Sequence, residues 1–331
     1  LWNTDCPNLY DVEFILRGRG KVLDRVGSYF GMRKIETDEK GIRSNNAQFY
    51  QKLVLAQNYW PETGLAMPDE EAGRKDILLA KQAGFNGLRI HQKIEDERFL
   101  FLCDTEGLLV WAEYPAAYEF NDRAISAIAA EWLEAVRQQY NHPCVIAWVP
   151  FNESWGIPNV YTDKLQQRFT EGIYYLTKAF DAMRPVMCND GWEHTCSDIV
   201  TVHDYDGCVE RVNDRYKNDM KDILDNKIAP TNYRFVMAKG YEYQGQPIVV
   251  SEYGGFKLAG TEGWGYDGEA KDAEDLVRKY DEITSAYKKM EKVCGFCYTQ
   301  LTDVYHETNG LMSFDRTPKV PLKEIKKINE R

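Results

Sequence analysis

The chain has 331 residues and a formal net charge of −11, so it can bury a full core. The negative charge argues against nucleic acid or an anionic membrane as the partner, because both favour a basic surface, and no apolar run approaches the ~20 residues that span a bilayer. Several of the eight cysteines lie inside apolar runs, where a free thiol packs as a small hydrophobe. Such thiols favour a reducing compartment, so we expect a cytoplasmic location.

The first segment, residues 1–36, reads as β structure. Strand-like runs at 9–16 and 21–30 flank a Gly-Arg-Gly turn. A lone hairpin is marginal in water. We therefore expect this segment to be a remnant of an immunoglobulin-like sandwich domain whose earlier strands lie upstream of Leu1, which is not a start methionine. Residues 37–48 are polar and are expected to form a connector.

From residue 49 onward, strand and helix patterns alternate, which predicts a parallel sheet with helical crossovers. The predicted strands cover 49–57, 87–91, 108–114, 145–151, 185–189, 199–203, 248–251 and 295–300. The predicted helices cover 69–83, 96–106, 124–140, 164–182, 270–290 and 322–329, and a shorter one at 214–224 lies in a polar insertion, 207–246. Eight such strands close a barrel. The predicted fold class is therefore α/β, with a (β/α)8 TIM barrel at residues 49–331.

Two of these strands end in a glutamic acid. Glu153 follows the apolar run 145–149 and stands next to Asn152, and Glu252 follows the apolar run 248–250. Strands four and seven lie on opposite sides of a barrel mouth, where the active sites of such barrels sit, so the two acids should face each other across a cleft. The alternative is a pair of strand-end acids that only cap loop amides.

Two carboxyl groups that flank one bond are the minimum that glycoside hydrolysis needs. Burial beside a neutral amide should raise the pKa of Glu153 and keep it protonated, so we expect it to donate the proton. Glu252 would stay ionised and attack the anomeric carbon.

The run 140–148, followed by Asn152-Glu153, resembles the acid/base signature of glycoside hydrolase family 2. That family contains β-galactosidases, β-glucuronidases and β-mannosidases. Further resemblance lies at the start of the chain and in the predicted barrel, at 1–2, 7–10, 30–33, 76–89, 101–104, 107–113, 309–311 and 315–319.

The resemblance implies a retaining exo-β-glycosidase, most like a β-galactosidase, that works by double displacement. Glu153 would be the acid/base and Glu252 the nucleophile, Asn152 would bond the sugar 2-hydroxyl, and Tyr205 would support the nucleophile unless it is a packed loop aromatic. The alternatives are β-glucuronidase or β-mannosidase specificity, or a barrel that binds carbohydrate without cleaving it. Because relatives often complete their cleft with a neighbouring subunit, a homo-oligomer is also compatible.

The chain departs from the family pattern at 57–60, 90–93 and 297–300. These positions surround the non-reducing sugar, so the resemblance does not identify which sugar is bound. His91 could contact that sugar or belong to a salt-bridged rim. We expect His203 to line the site, and stacking or core packing for Trp155, Trp192 and Tyr298.

We expect no cofactor and no metal site. His203 and Asp204 lack a third ligand with zinc-like spacing. Cys294 and Cys297 should point to opposite faces of a strand. The expected partner is a carbohydrate substrate.

Overall fold

The N-terminal part of the chain is antiparallel. The computed structural model describes residues 1–231 and 233–331. Strands β1 (Tyr10–Gly18) and β2 (Lys21–Phe30) form a hairpin in which Phe14 lies opposite Val26. Most side chains of this hairpin are exposed.

Residues 37–48, expected as a connector, contribute to a small sheet, and their role between two domains stays a prediction. Strands β3 (Ile35–Asp38), β4 (Gly41–Ser44) and β5 (Ala47–Gln48) pair antiparallel. Asn45 and Asn46, both at positive φ, make the turn between β4 and β5, a conformation that asparagine tolerates well. The polar composition hid two buried isoleucines, Ile35 and Ile42, which anchor this sheet.

The remaining elements alternate along the chain as predicted. In order they are β6 (Gln51–Ala56), α1 (Glu70–Gln82), β7 (Gly87–Ile90), α2 (Glu97–Glu106), β8 (Leu109–Glu113), α3 (Asp122–Gln139), β9 (Val145–Val149), α4 (Lys164–Phe180), β10 (Val200–Asp204), α5 (Val209–Asn218), α6 (Met220–Leu224), β11 (Ile248–Gly254), β12 (Lys257–Leu258), β13 (Glu269–Ala270), α7 (Ala273–Lys288), β14 (Val293–Thr299) and α8 (Leu322–Glu330). The polar insertion thus holds two short helices, α5 and α6, rather than one.

Seven of these strands form one parallel sheet in the order β10-β11-β14-β6-β7-β8-β9. Apolar side chains of these strands fill the core, and β8 and β9 are buried along their whole length. The carboxyl ends of parallel strands meet at one edge, so the side chains that follow β6, β7, β9 and β14 reach the same mouth.

The predicted fifth strand, 185–189, is reduced to isolated bridges between Trp148 and Val186 and between Asn152 and Asp190. On its other side, the Asp198 amide donates to the Val186 carbonyl at 2.9 Å, and the Asp198 carboxylate accepts from the Val186 amide at 2.9 Å. This segment closes the TIM barrel between β9 and β10. A side chain replaces part of the backbone ladder, so no continuous strand forms there.

Polar side chains start the longer helices. Asp69, Asp96, Asn121, Asp163 and Asp272 each accept a bond from an amide in the first turn of the helix that follows, which is the preferred N-cap arrangement. In the described parts of the chain, no helix has both the length and the apolar character that crossing a bilayer would require.

Candidate active site

The two predicted acids meet at the barrel mouth. Glu153 and Ser154 follow β9 with φ of 51° and 59°, a sparsely populated conformation that often occurs at functional sites. Glu252 lies near the end of β11. One carboxylate oxygen of each acid and a ring nitrogen of His203 all lie within 4.8 Å of one another. An upper limit of 4.8 Å between the nearest oxygens is compatible with the roughly 5–5.5 Å between the carboxyl groups of retaining glycosidases.

Arg89 organises the floor of the mouth. Its guanidinium donates to Glu252 Oε1 at 2.6 Å, to Glu113 Oε2 at 2.9 Å and to Asn152 Oδ1 at 2.7 Å, and it lies 3.0 Å from Asp190 Oδ2. The side chain is fully buried. Burial disfavours its charge, but the surrounding carboxylates outweigh that effect and raise the pKa of Arg89 well above its ordinary value. A permanent cation therefore lies beside Glu252.

His203 lies between the two acids. Its Nδ1 is 2.8 Å from Glu153 Oε1 and 3.5 Å from Glu252 Oε2, and its Nε2 is 3.0 Å from Asp190 Oδ2. Burial lowers the pKa of His203, but the charge of Glu252 and the bonds to Asp190 and Glu153 raise it to about 10. The ring is therefore an imidazolium at neutral pH. Gly191 is required beside it, because at φ 100° a Cβ there would lie 2.7 Å from Nδ1.

The electrostatics of Glu153 differ from the sequence expectation. Burial raises the pKa of Glu153, as expected, but the hydrogen bond and positive charge of His203 outweigh burial and hold the pKa below its ordinary value. Sequence reasoning considered only the neutral amide of Asn152 and therefore missed the imidazolium. The lowered pKa of Glu153 and the raised pKa of His203 favour a carboxylate at Glu153 and a protonated ring at His203.

Tyr205 contacts the other acid. Its hydroxyl donates to Glu252 Oε2 and lies 3.1 Å from Thr299 Oγ1. Its ring stacks on Tyr266 with the centroids 3.5 Å apart. Burial and the charge of Glu252 raise the pKa of Tyr205 well above its ordinary value, so the hydroxyl stays protonated and acts as a donor. Two donors, Arg89 and Tyr205, thus hold the Glu252 carboxylate in place.

Two further predicted sugar contacts also lie at the mouth. The buried Asn152 accepts from Arg89 through Oδ1, which leaves its amide NH2 group to donate to a ligand. His91 Nδ1 lies 3.2 Å from Glu113 and 4.0 Å from Glu252, so His91 belongs to the same charged group. The charge of Glu113, above all, raises the pKa of His91 against the lowering effect of burial.

The predicted aromatic contacts fall into different environments. Trp155 is half-exposed and meets Tyr118 edge to face, with the ring centroids 5.9 Å apart. Trp192 is mostly buried, and its ring lies 5.5 Å from that of His203. Trp155 offers a surface for stacking beside Glu153, whereas Trp192 mainly supports His203.

The prediction that Tyr298 contacts the sugar needs correcting. It is fully buried, and its ring packs edge-on against Tyr253 and against Tyr280 of α7. It therefore lies in the core between sheet and helix, where no sugar can reach its face. Position 298 points outward from β14, a side that the sequence pattern did not settle, and we do not retain Tyr298 as a stacking surface.

Ligand atoms of Glu153, His203 and Glu252 are also close enough to share one metal ion. Sequence reasoning paired His203 with Asp204, but Asp204 forms an ion pair with Arg215 instead. His203 is already bonded to Glu153 and Asp190, and a metal there would occupy both acids. We therefore treat the group as a pair of acids with a positioning histidine, and the absence of a metal stays a prediction.

Sequence reasoning missed Arg89, Glu113 and Asp190 as members of the site. Arg89 and Glu113 are charged residues at or near the carboxyl end of otherwise apolar strands, β7 and β8. This is the same signal that singled out Glu153 and Glu252. Asp190 lies in the bridged segment 185–191 and carried no such signal.

Comparison with known proteins assigns the family. The model described as "Glycosyl hydrolases family 2, TIM barrel domain" matches residues 35–331, and the model "Glycosyl hydrolases family 2" matches residues 1–33. A β-galactosidase of Vibrio cholerae is 31% identical over 211 residues, which is 60% of this chain and 20% of that protein. The chain thus spans about a fifth of the length of this curated relative.

Solved structures share the fold. A family 2 β-galacturonidase from Eisenbergiella tayi bound to galacturonate has a TM-score of 0.80 at 22% identity, over 99% of this chain and 59% of that chain. A Bacteroides uniformis β-glucuronidase, covalently bound to cyclophellitol-6-carboxylate aziridine, has a TM-score of 0.77 at 22% identity, over 96% and 40%. Such distant likenesses show the fold alone. With the family models matching almost every residue, the chain belongs to glycosyl hydrolases family 2 and contains the TIM barrel domain of that family.

Proposed function

We propose that this chain is the catalytic part of a retaining exo-β-glycosidase that removes terminal β-linked sugars, most like a β-galactosidase. The observation that carries the proposal is the approach of Glu153 and Glu252 to within 4.8 Å through their carboxylate oxygens. The name of the Vibrio cholerae relative supports a galactoside. β-Glucuronides are the alternative suggested by the structural relatives, and β-mannosides stay an alternative from the family resemblance.

In the first step, Glu153 donates a proton to the glycosidic oxygen while the Glu252 carboxylate attacks the anomeric carbon. The bond from that carbon to the leaving oxygen breaks, and an ester to Glu252 forms. Arg89 and Tyr205 hold Glu252 in line, and the free NH2 group of Asn152 would bond the sugar 2-hydroxyl.

In the second step, Glu153 takes a proton from water, and the water oxygen attacks the same carbon. The ester bond breaks, the Glu252 carboxylate is restored, and the sugar leaves with its β configuration. His203 fits both steps, because its Nδ1 lies 2.8 Å from Glu153 Oε1, close enough to pass a proton to Glu153 for the leaving group and to take one back after water is deprotonated.

The test uses aryl β-glycosides of galactose, glucuronic acid and mannose. We expect release from at least one of them, and Glu252→Gln should lower that release by about 10³-fold or more, because the covalent step is lost. Glu62→Gln, an exposed acid, is the matched control. A 2-fluoro glycoside should add one sugar mass to Glu252 in the wild-type protein.

Unchanged activity in Glu252→Gln would refute the nucleophile assignment. Sugar binding without turnover or adduct would instead indicate the non-catalytic barrel. Homo-oligomerisation and a cytoplasmic location stay predictions.

A further inference from the structure

A third glutamic acid, Glu307, lies at the same mouth and has no role in the double displacement. Gln57, which follows β6, donates from Nε2 to Glu307 Oε2 at 2.9 Å and to Gln300 Oε1 at 3.1 Å. Gln300 follows β14. In the sheet, β14 and β6 stand between β11, which carries Glu252, and β7, which precedes His91. Glu307 is therefore held at the wall of the mouth between Glu252 and His91.

Among residues 1–231 and 233–331, the side chains that hydrogen-bond to Glu307 are neutral amides. Asn309 Nδ2 donates to Glu307 Oε1 at 3.2 Å, and Asn309 Oδ1 in turn accepts from Gln300 Nε2 at 2.8 Å. In the part of the chain that the structure describes, no lysine or arginine forms an ion pair with Glu307. A carboxylate has about four acceptor positions, and the amides fill two. The half-buried side chain thus keeps acceptor positions that a ligand can use.

The cations at this mouth already have carboxylate partners. Arg89 serves Glu252 and Glu113, and His91 lies 3.2 Å from Glu113. Lys93 Nζ lies 3.0 Å from Glu95 and donates to the Asn58 carbonyl at 3.1 Å.

Carboxylates also outnumber the cations that surround the two catalytic acids. With the Lys93–Glu95 pair included, the carboxylates are Glu95, Glu113, Glu153, Asp190, Glu252 and Glu307, and the cations are Arg89, His91, Lys93 and His203. A further negative charge would therefore meet repulsion rather than a waiting cation.

We infer that Glu307 selects the sugar: its carboxylate accepts hydrogen bonds from hydroxyl groups of a neutral non-reducing sugar and excludes a uronic acid by repulsion. This inference rests on the proposed glycosidase function and narrows its substrate to neutral β-glycosides. Burial, with a smaller contribution from the charge of Glu252, raises the pKa of Glu307 against the hydrogen bonds from Gln57 and Asn309. Galacturonides and glucuronides, which the names of the two related enzymes imply, are thus not expected to be substrates here.

The test compares aryl β-galactoside with aryl β-galacturonide, and aryl β-glucoside with aryl β-glucuronide. For one of these pairs, wild-type kcat/KM should favour the neutral substrate by about 100-fold or more, as like charges across a binding site cost several kcal/mol. Glu307→Gln should lower kcat/KM for the neutral substrate by about 10-fold to 100-fold, the value of a hydrogen bond to a charged group. The same change should leave kcat/KM for the uronide unaffected or raise it, so the ratio of the neutral to the uronide kcat/KM should fall.

Two further variants make the result interpretable. Glu307→Asp keeps the charge and should still exclude the uronide while binding the neutral sugar less well. Glu262 has an exposed side chain, and its backbone carbonyl accepts a bond from the Thr308 hydroxyl. Glu262→Gln removes one charge and should change kcat/KM for neither the neutral substrate nor the uronide. Melting temperatures show whether each variant is folded.

A wild-type enzyme that prefers the uronide, or a folded Glu307→Gln variant with an unchanged preference, would overturn the inference. Failure of the proposed function looks different, because neither member of any pair is cleaved and no 2-fluoro adduct forms. Calorimetric titration of the wild-type and Glu307→Gln proteins with galactose, glucose, galacturonate and glucuronate then decides on Glu307 by binding alone. Tighter binding of the uronates by the wild-type protein, or equal binding of each sugar by both proteins, would contradict it.

Discussion

At the residue scale, Arg89 is the cation on which the three buried carboxylates of the site depend. It is fully buried and serves three buried carboxylates, those of Glu113, Asp190 and Glu252. Removing one partner of a buried ion pair is costly, because the remaining charges lose their compensation. The catalytic geometry and the stability of the barrel therefore depend on the same guanidinium.

We predict that Arg89→Met destabilises the protein by about 3–5 kcal/mol and abolishes glycosidase activity. Urea unfolding followed by tryptophan fluorescence measures the first effect. Arg98→Met is the control, since Arg98 is exposed and pairs with Asp96 at the start of α2, and it should behave like wild type. Equal unfolding midpoints for the two variants would show that the buried network contributes little.

The imidazolium of His203 predicts a pH dependence of stability. Its pKa is raised from an ordinary value of 6.5 to about 10 in the folded protein, so folding favours the protonated ring. That contribution is fully present below about pH 6.5 and is lost as the pH rises through about 10. The melting temperature of the wild-type protein should therefore fall between pH 7 and pH 10.

A folded His203→Gln variant should lose this part of the decline, whereas His306→Gln, at an exposed histidine, should keep it. Scanning calorimetry at several pH values makes the comparison. Parallel curves for wild type and His203→Gln would mean that the ring is not held as a cation. The basic limb of the kcat profile should move in the same variant, because Glu153 loses its partner.

At the element scale, the closing segment 185–191 is held by isolated bridges rather than by a continuous strand ladder. Asp198 fixes it by accepting from the Val186 amide at 2.9 Å and from Lys178 Nζ at 3.0 Å. Asp198→Ala leaves a buried amide without its acceptor, which costs about 1–3 kcal/mol. We predict faster hydrogen exchange across 185–191, measured by mass spectrometry, with lower activity because Asp190 orients His203.

Asp214→Ala changes an exposed acid in α5 and should leave exchange in 185–191 unchanged. Unaltered exchange in Asp198→Ala would show that the bridges to β9 alone hold the segment.

Sequence patterns predicted the elements whose signals are local. Strand β9 contains five consecutive apolar residues, and the predicted strand 145–151 contains it; the predicted helix 69–83 likewise matches α1. The segment 185–189 was apolar enough to suggest a strand, but its pairing depends on Asp198, a residue outside it. Pairing of that kind is a tertiary property that local propensity does not encode.

The same distinction explains what could be foreseen of the site. Glu153 and Glu252 were found because each ends an apolar strand. The lowered pKa of Glu153 was not predicted, because it depends on His203, which lies fifty positions away in sequence. Glu307 gave no strand-end signal, since it follows β14 within an irregular loop and reaches the mouth through contacts with Gln57 and Asn309.

At the scale of the whole molecule, the β1–β2 hairpin is an exposed apolar surface. Phe14, Leu16 and Val26 are 61%, 61% and 54% exposed, and Phe14 and Val26 lie opposite each other. Contiguous apolar surface of this kind commonly marks a protein contact. The proposed sandwich remnant at 1–36 and the expected homo-oligomer are both compatible with such a contact.

We predict that the 331-residue chain self-associates through this hairpin as its concentration rises. Replacing Phe14, Leu16 and Val26 together by threonine, which keeps strand propensity, should shift sedimentation toward the monomer. Tyr175→Gln, at an exposed aromatic in α4, should not. Association that persists in the triple variant would place the contact elsewhere.

The unequal burial of the tryptophans gives this protein a built-in optical reporter. Six of its eight indoles are buried, whereas Trp155 and Trp264 are 47% and 46% exposed. Trp155 lies beside Glu153, and Trp264 contacts Tyr266, which stacks on Tyr205, so both flank the mouth. An aqueous quencher such as acrylamide should therefore dim chiefly these two indoles, and an occupant of the mouth should shield them, so that occupancy can be titrated without any turnover.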